Sequence, residues 1–160
     1  GRFSIPKNHK FLIDIFRQIY AQNPNAVLLL AGKSLMDEIE QKVKEYQLEQ
    51  AVKFLGLRDD VERIMQAMDV FCVSVLYEGF QLLGEAQAVG IPCVVSSEIT
   101  KEISIASNIK FLALSQSAEK WASECMENNQ KEKNTCNLKK QAGFDIKKNA
   151  EWLQKFYFVK

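Results

Sequence analysis

Short apolar runs alternate with amphipathic segments through most of this 160-residue chain. Strands joined by helices in this way pair in parallel, because each helix carries the chain back to the edge where the next strand begins. A continuous apolar run such as 26–31 is typical of a strand that is buried on both faces. The expected strands are 26–31, 52–55, 70–75, 93–96 and a short last strand at 110–114.

Helices are expected between these runs, because apolar residues there recur at helical spacing. The first contains Phe11, Ile15 and Ile19 and stops at Asn23-Pro24-Asn25. The sequence therefore predicts an α/β fold, a Rossmann-like parallel sheet with helices on both faces. The other expected helices are 34–46 with a Ser34–Asp37 capping box, 60–67 capped by Asp59 or Asp60, 83–89, 117–127 with Trp121 on its inner face, and 146–158.

A single domain is expected to span residues 1–160. The hydrophobic content of 47% suits one core of this size. The polar stretch 128–134 is too short to divide two domains. Only Gly1-Arg2-Phe3 precedes the first loop, whereas a parallel sheet needs a first strand of ordinary length. We therefore expect a fragment of a larger protein, cut near or inside its central strand.

Charge and cysteine content exclude several classes of function. The formal net charge is +1, which gives no general attraction to nucleic acid or to a membrane surface. The four cysteines have no CxxC spacing, and Cys72 and Cys93 lie in apolar runs, as in proteins of a reducing compartment. The single histidine, His9, argues against a zinc site and is expected in a loop or at a helix start. No signal peptide or apolar stretch of 18 residues is present.

The stretch 70–90 is the best candidate for a ligand site. An apolar run leads into Tyr77-Glu78-Gly79-Phe80, and a second carboxylate, Glu85, follows in a small-residue segment that ends at Gly90. This pattern predicts a buried strand, a loop and a helix, and parallel sheets bind ligands at such places. The helix N-terminus attracts anions, whereas the carboxylates accept hydrogen bonds from sugar hydroxyls. The combination favours a ligand with both parts, such as a sugar nucleotide.

Several motifs occur together in a recognisable order. They are Gly1-Arg2-Phe3 with Lys7-Asn8-His9, Ala31-Gly32, Phe54-Leu55-Gly56, Asp69-Val70-Phe71, Tyr77-Glu78-Gly79-Phe80 and 85–92. In this order they resemble the C-terminal, nucleotide-binding domain of a retaining glycosyltransferase of family 4, which has the two-domain GT-B fold. The resemblance covers nearly the whole chain. Segments 96–100, 114–121 and 142–146 are similar to bacterial capsular and exopolysaccharide enzymes.

The resemblance implies roles for residues on both sides of the donor diphosphate. Arg2 and Lys7 match the cations that neutralise the diphosphate leaving group without a metal. Glu78 matches the first glutamate of the family's paired motif, which lies at the donor sugar and is the expected catalytic residue. Glu85 matches the second glutamate, which accepts hydrogen bonds from the ribose hydroxyls. The remaining donor-sugar contacts that the resemblance implies are Gly79, Phe80, Gln81 and Leu82.

The resemblance also implies a base pocket at the turn Gly56-Leu57-Arg58. In the family this turn packs against the nucleobase and pairs with it largely through backbone atoms. Arg58 could stack on the base, or it could be a solvated arginine of the Arg58-Asp59-Asp60 turn, and the sequence leaves both interpretations open. No metal ligand and no other cofactor is expected, since the nucleotide sugar is itself the donor substrate.

One departure from the family pattern bears on the paired glutamates. The family usually has seven residues between them, whereas here six residues separate Glu78 from Glu85. A one-residue change in a helix is a rotation of about 100°. If packing fixes Glu85, the loop must absorb the change, and Gly84 is a candidate for the required freedom. A further departure is Ser74-Val75, which stands where the family often has Pro-Ser.

The function implied by the resemblance is the donor half of a hexosyltransferase. It would move a sugar from a nucleotide diphosphate, which we expect to be UDP, to a cell-surface polysaccharide or a lipid-linked acceptor. The absent N-terminal domain would bind this acceptor. The isolated fragment is expected to be inactive. We expect a cytoplasmic location, with peripheral association of the full-length protein at the inner face of the membrane. No nucleic acid partner is expected. Two alternatives stay open, a sugar-nucleotide epimerase of the same fold and a non-catalytic nucleotide-binding module.

Overall fold

A computed structural model describes residues 7–32, 37–76, 81–105, 107–128 and 145–158. Five strands and six α-helices follow one another within these ranges. In chain order they are α1 (His9–Gln22), β1 (Leu28–Ala31), α2 (Asp37–Glu45), β2 (Val52–Gly56), α3 (Val61–Gln66), β3 (Phe71–Val73), α4 (Gln81–Val89), β4 (Cys93–Ser96), β5 (Ile109–Leu112), α5 (Ala118–Glu127) and α6 (Ile146–Phe158). All five predicted strands are confirmed, with β1 and β3 shorter than their apolar runs.

The strands form two parallel sheets. β1 pairs with β2, with Leu28 opposite Val52, and the register shifts between Leu30 and Ala31. The second sheet has the order β3-β4-β5, with Cys93 opposite both Phe71 and Ile109. Since all pairs are parallel, the carboxyl ends within each sheet lie at one edge, which confirms the α/β class.

Helices cover both faces of the larger sheet. On one face Cys93 and Val95 pack with Leu83 and Ala86 of α4 and with Met65 of α3. The other face holds Val94 among Ile15 of α1 and the buried α5 residues Trp121, Ala122 and Cys125. A third cluster joins α1 and α2 to the smaller sheet through Phe16, Val43, Leu30 and Val52. The predicted inward position of Trp121 is confirmed, since its side chain is fully buried.

The helix ends follow the sequence signals only in part. α5 begins at Ala118, one residue after its predicted start, because Ser117 is its N-cap and its hydroxyl accepts a hydrogen bond from the Lys120 N–H. α1 ends at Asn23, whose N–H donates to the Ile19 carbonyl. Asp60 is the residue before α3 but makes no side-chain cap, because its carboxylate binds Arg58 instead. Ser34, the other expected cap, lies outside the described residues.

The prediction that the first apolar run is buried on both faces is wrong in part. In β1 only Leu30 is buried, and the other three residues are half-buried. The physical reason is that β1 pairs with β2 along one edge, and the described residues place no strand against its other edge. By contrast, all four residues of β4 are buried.

α6 is a well-defined amphipathic helix with an exposed apolar face. Its described residues are all solvent-exposed, with Trp152 stacked on Phe156 and Phe156 edge-on to Tyr157. The helix matches its predicted bounds, 146–158. The amphipathic pattern therefore predicts the helix correctly, although no described residue covers its apolar side.

Candidate functional site

The candidate site lies at the carboxyl ends of the strands. The Gly32 N–H donates to the Gly56 carbonyl over 2.8 Å and so ties the end of β1 to the end of β2. β3 ends at Val73, and α4 begins at Gln81. In parallel α/β sheets this edge is where ligands bind, because the next helices begin there and point their free N–H groups outward.

A cavity of about 170 Å³ brings parts of this edge together. Lys7, from the turn before α1, and Leu82, from the first turn of α4, both line it. Ala31 of β1 and Ser74 and Val75, just beyond β3, line it as well. Two residues predicted to contact the donor, Lys7 and Leu82, are therefore neighbours of one cavity.

The amino terminus of α4 suits an anion. The helix has nine residues, and its first turn contains no acidic side chain. Its first N–H groups have no carbonyl partner within the helix, and they carry the positive end of the helix dipole. Lys7 adds a full positive charge at the same cavity. This pairing of a cation with a helix start is suited to a phosphate group.

Glu85 lies one turn further along the same helix. It is the fourth residue after Gln81, which corresponds to a rise of about 6 Å. Its side chain is half-buried, whereas the neighbouring Ala86 is fully buried in the core against β4 and α3. The small residue lets the helix pack closely, and this packing fixes the direction in which Glu85 projects. Glu85 does not line the cavity that contains Lys7.

Gly84 does not provide the loop freedom that we expected. It lies inside α4, and the positive φ angles of described glycines occur at Gly56 and Gly90. α4 also begins at Gln81, two residues before the predicted start at Leu83. The segment from Gln81 to Glu85 is therefore regular helix, and it shows no adjustment for the short glutamate spacing.

The predicted base turn has an open, left-handed conformation. Gly56 has a φ of +66°, which glycine adopts at low cost. Leu57 is 72% exposed at the surface of this turn. Arg58 holds Asp60 in a two-pronged ion pair, with Nε–Oδ1 at 2.8 Å and Nη2–Oδ2 at 2.7 Å.

This ion pair fixes the guanidinium group. The hydrogen bond and charge of Asp60 raise the pKa of Arg58, and Arg58 in turn lowers the pKa of Asp60. Asp60 occupies the edge of the guanidinium group, so a flat face stays available for stacking on an aromatic base. The turn Gly56-Leu57-Arg58 does not line the cavity of Lys7.

Several predicted site residues cannot be placed. Arg2, Glu78, Gly79 and Phe80 lie outside the described residues, and for Gln81 only the backbone is described. The predicted contacts of these residues remain predictions. His9 is the first residue of α1 and lines the cavity, which confirms its expected position at a helix start.

Two residues near the site were not predicted. Gln87 is almost fully buried on α4, and its Oε1 accepts the Ile105 N–H at 2.8 Å, which anchors the helix to the segment before β5. Ser74 is also buried, and its hydroxyl has no hydrogen-bond partner in the described part of the chain. A polar residue within a small-residue helix or an apolar run is the signal that could have identified them.

The described residues form neither a metal-binding cluster nor a membrane-spanning helix. They contain no group of three or more His, Cys, Asp or Glu side chains that could hold a metal ion. No helix among them is long and apolar enough to cross a membrane.

Comparison with known proteins identifies relatives. The family described as "Glycosyl transferases group 1" matches residues 1–127. The protein EpsF of Bacillus subtilis (strain 168), named as a glycosyltransferase, is 35% identical over 125 residues, covering 76% of this chain and 33% of its own length. A UDP-Gal:alpha-D-GlcNAc-diphosphoundecaprenol alpha-1,3-galactosyltransferase of Escherichia coli is 32% identical over 102 residues, covering 61% of this chain and 26% of its own length. The chain thus spans about a third or less of each relative.

Solved structures share the fold. HepE (Alr3699) of Anabaena, in a crystal structure with UDP, has a TM-score of 0.74 at 24% identity, over 97% of this chain and 47% of that chain. WaaG, a glycosyltransferase involved in lipopolysaccharide biosynthesis, has a TM-score of 0.76 at 17% identity, over 100% of this chain and 46% of that chain. These likenesses confirm the predicted fold, the Rossmann-like half of a GT-B glycosyltransferase.

Proposed function

This chain belongs to the glycosyl transferases group 1 family, and on that premise we propose that it is the donor-binding half of a retaining hexosyltransferase. The donor is a nucleotide diphosphate sugar, with UDP as the nucleotide. The sugar passes to a growing cell-surface polysaccharide or to a lipid-linked acceptor. The names of the Escherichia coli relative and of the UDP-bound structural neighbour support this choice of donor.

The single observation that carries the proposal is that Lys7 shares a cavity with the first turn of α4. Both Lys7 and Leu82 line one cavity at the carboxyl ends of the strands. A diphosphate is the part of the donor that matches an ammonium group beside a helix N-terminus. The described residues of the candidate site are therefore suited to binding an anion.

The proposed mechanism is electrostatic. Arg2 and Lys7 neutralise the diphosphate as the bond to the sugar breaks, so that no metal ion is needed. Glu85 accepts hydrogen bonds from the ribose, and Glu78 contacts the donor sugar as the catalytic residue. Gly56-Leu57-Arg58 packs against the base. These residues position the donor and stabilise the leaving group. Neither contribution to catalysis requires a nucleophile from this half of the enzyme.

The acceptor side of the proposal concerns the rest of the protein. The chain spans 33% of the length of EpsF, so an acceptor-binding domain is expected outside these residues. Cleft closure around both substrates is required in two-domain enzymes. We therefore expect the isolated chain to bind nucleotide weakly and to transfer no sugar. A lipid-linked acceptor would bring the full-length protein to the inner face of the cytoplasmic membrane as a peripheral protein.

The test compares two glutamates. Glu85→Ala should weaken binding of UDP and of UDP-sugar alike by about ten- to more than a hundred-fold, because loss of a charged hydrogen-bond acceptor costs about 1.5–3 kcal/mol. Glu78→Ala should leave UDP affinity nearly unchanged, since it contacts the sugar. Calorimetry with UDP, GDP, ADP and UDP-sugars measures both. Glu62→Ala, an exposed position on α3, is the matched control and should change nothing.

The opposite pattern would sink the site assignment. If UDP affinity depends on Glu78 and ignores Glu85, the family register does not transfer across the short loop. No binding of any nucleotide at millimolar concentration would contradict the proposal as a whole. Sugar transfer by the isolated chain would contradict the expectation that a second domain is needed for activity. Turnover assays of the full-length protein with UDP-sugars separate a transferase from an epimerase and from a binding module.

Metal removal gives an independent test. EDTA should leave the affinity for UDP unchanged, because Arg2 and Lys7 supply the positive charge that a metal would otherwise provide. Calorimetry in EDTA, followed by addition of Mg²⁺ or Mn²⁺, measures this. Loss of binding in EDTA and its recovery with either metal would show that the charge assignment is wrong.

A further inference from the structure

Gln87 lies on the buried side of α4, at a position that apolar residues usually occupy. Leu83, Ala86, Gln87 and Gly90 recur at spacings of three and four residues, and all four are buried. Gln87 itself is only 1% exposed. Burial of a side-chain amide costs free energy that its hydrogen bonds do little more than recover. A glutamine at this position therefore adds direction to the packing of α4 rather than strength.

The two ends of the Gln87 amide hold different parts of the chain. Its Nε2 donates to the carbonyl of Leu83, one turn earlier on α4, at 3.3 Å. Its Oε1 accepts the Ile105 N–H at 2.8 Å, and Ile105 belongs to the connection between β4 and β5. The first bond ties the side chain to its own helix, and the second ties that helix to the connection. Rotation of α4 about its axis would lengthen the bond to Ile105.

The connection between β4 and β5 is itself held in place. Ile99 is buried in the cluster that α4 forms with β4, and its N–H donates to the Ser96 carbonyl at 3.1 Å. Near the start of β5, Asn108 donates from Nδ2 to the Gly90 carbonyl at 3.1 Å. These contacts join the connection to β4 and to the end of α4. The backbone at Ile105 is therefore a fixed partner against which α4 can be oriented.

A small rotation of α4 is enough to displace Glu85. The packing of Ala86 sets the direction in which Glu85 projects, but a single methyl group sets it coarsely. Because the outer radius of a helix is about 5–6 Å, a rotation of about 20° moves the tip of a side chain by about 2 Å. Hydrogen bonds tolerate much smaller displacements. Any rotation that loosens Gln87 also moves Glu85, since both belong to the same regular helix.

We propose that Gln87 is a positioning residue for donor binding, which aims Glu85 at the ribose through its hydrogen bond to Ile105. The inference rests on the proposed function, in which Glu85 accepts hydrogen bonds from the ribose hydroxyls. Gln87 does not contact the donor. It fixes the rotation of α4, and Glu85 is the group on that helix that meets the ligand.

The experiment measures how well the full-length protein distinguishes UDP from 2′-deoxy-UDP in calorimetry. The deoxy nucleotide lacks one of the ribose hydroxyls, so the ratio of its Kd to that of UDP reports the contact with Glu85. In the unsubstituted protein this ratio should be about ten or more. Gln87→Met keeps an unbranched side chain of similar length, but its thioether is a poor acceptor for the Ile105 N–H. The ratio should fall to about three or less, because UDP binds more weakly while the affinity for 2′-deoxy-UDP changes less than about twofold.

Two further variants separate positioning from stability. Gln87→Glu retains an oxygen that accepts the Ile105 N–H, so its ratio should stay within about twofold of the unsubstituted value. Val94→Ala lies on the opposite face of β4, in the cluster with α1 and α5, and removes buried methyl groups there. It should lower the stability and leave the ratio unchanged.

Hydrogen exchange in the unsubstituted protein keeps the test decisive if Gln87→Met does not fold. Binding and positioning are reciprocal, so a bond that aims Glu85 at the ribose is itself stabilised when the ribose binds. Saturating UDP should therefore slow exchange of the Ile105 amide at least about threefold more than saturating 2′-deoxy-UDP does. The Ser97 amide, which donates to the Leu112 carbonyl at 2.8 Å, should respond equally to both nucleotides.

The contrary outcomes are distinguishable. If the unsubstituted protein distinguishes the two nucleotides and Gln87→Met keeps the ratio, the inference is overturned while the proposed function stands. The same holds if both nucleotides protect the Ile105 amide equally. A ratio that falls as far in Val94→Ala or in Gln87→Glu would also overturn it, because the loss of the acceptor would not be the cause. A ratio near one in the unsubstituted protein would overturn the ribose assignment of Glu85 and this inference with it.

Discussion

β4 and β1 are strands of equal length and similar composition with very different surroundings. β4 (Cys93–Ser96) pairs on both edges, carries helices on both faces and is buried throughout. β1 (Leu28–Ala31) pairs with β2 alone, and only Leu30 is buried. An apolar run therefore predicts that a strand forms, whereas the burial of that strand depends on neighbours that the run does not specify.

The same lesson holds for two helices. α5 and α6 are both amphipathic, and each contains one tryptophan. Trp121 of α5 is fully buried, meets Phe11 edge-on and donates its indole N–H to Ala113 O at 3.2 Å. Trp152 of α6 is 62% exposed. Periodicity identifies the apolar face of a helix but does not identify what covers it.

Substitutions in the two strands give the largest expected contrast. Val94→Ala should destabilise the chain by about 2 kcal/mol, because a fully buried side chain is lost and its neighbours on α1 and α5 cannot close the gap. Leu29→Ala removes more atoms but should cost about half as much, since Leu29 faces a cavity that already exists. Urea denaturation of both variants measures the two free energies of unfolding.

The contrast has a clear contrary outcome. An equal, large cost of the two substitutions would contradict it, because it would mean that Leu29 is already packed on all sides.

The buried Cys93 of β4 should make the stability of the chain depend on pH. Burial raises the pKa of the Cys93 thiol from 9.0 to about 12. The unfolded thiol therefore ionises above pH 9 while the folded one stays protonated, so this contribution to stability is complete below pH 9. It is lost as the pH rises toward 12, at about 1.4 kcal/mol per pH unit.

Cys93→Ala tests this dependence. The variant should be less stable at pH 8, because it leaves a small cavity, but its stability should fall less steeply between pH 9 and 11. Denaturation at several pH values under reducing conditions measures the slopes. Parallel slopes for the variant and the unsubstituted chain would exclude Cys93 as a source of the loss at high pH.

The sequence predicts the parts of the fold that depend on local pattern. β4 has its predicted bounds, and α5 begins within one residue of its predicted start, because a buried run and an amphipathic period are local signals. The half-buried state of β1 could not be predicted, since it depends on a strand neighbour. Asp60 does not cap α3 because Arg58, two residues away, binds the same carboxylate.

For the site, the family resemblance provided what periodicity could not. The resemblance predicted Lys7 and Leu82 as ligand contacts, and the fold brings both to one cavity. Ser74 and Gln87 were not predicted: the sequence shows a polar residue within an apolar or small-residue segment, but their burial depends on tertiary packing. The expected freedom at Gly84 was wrong because the residue sits within a regular helix.

Alanine substitutions at two glycines, Gly56 at the end of β2 and Gly84 within α4, have the smallest expected effects on stability, and the two effects are opposite in sign. Gly56→Ala should destabilise the chain by about 1 kcal/mol, because its φ of +66° is unfavourable for any residue with a Cβ, even though the space around it is open. Gly84→Ala should stabilise it by about 0.5–1 kcal/mol, since alanine favours the helix and a Cβ there meets no atom within 4 Å. Thermal unfolding of both variants measures the difference. A loss of stability in Gly84→Ala would show that α4 is not regular helix at this position, and the rigid placement of Glu85 would then lose its physical basis.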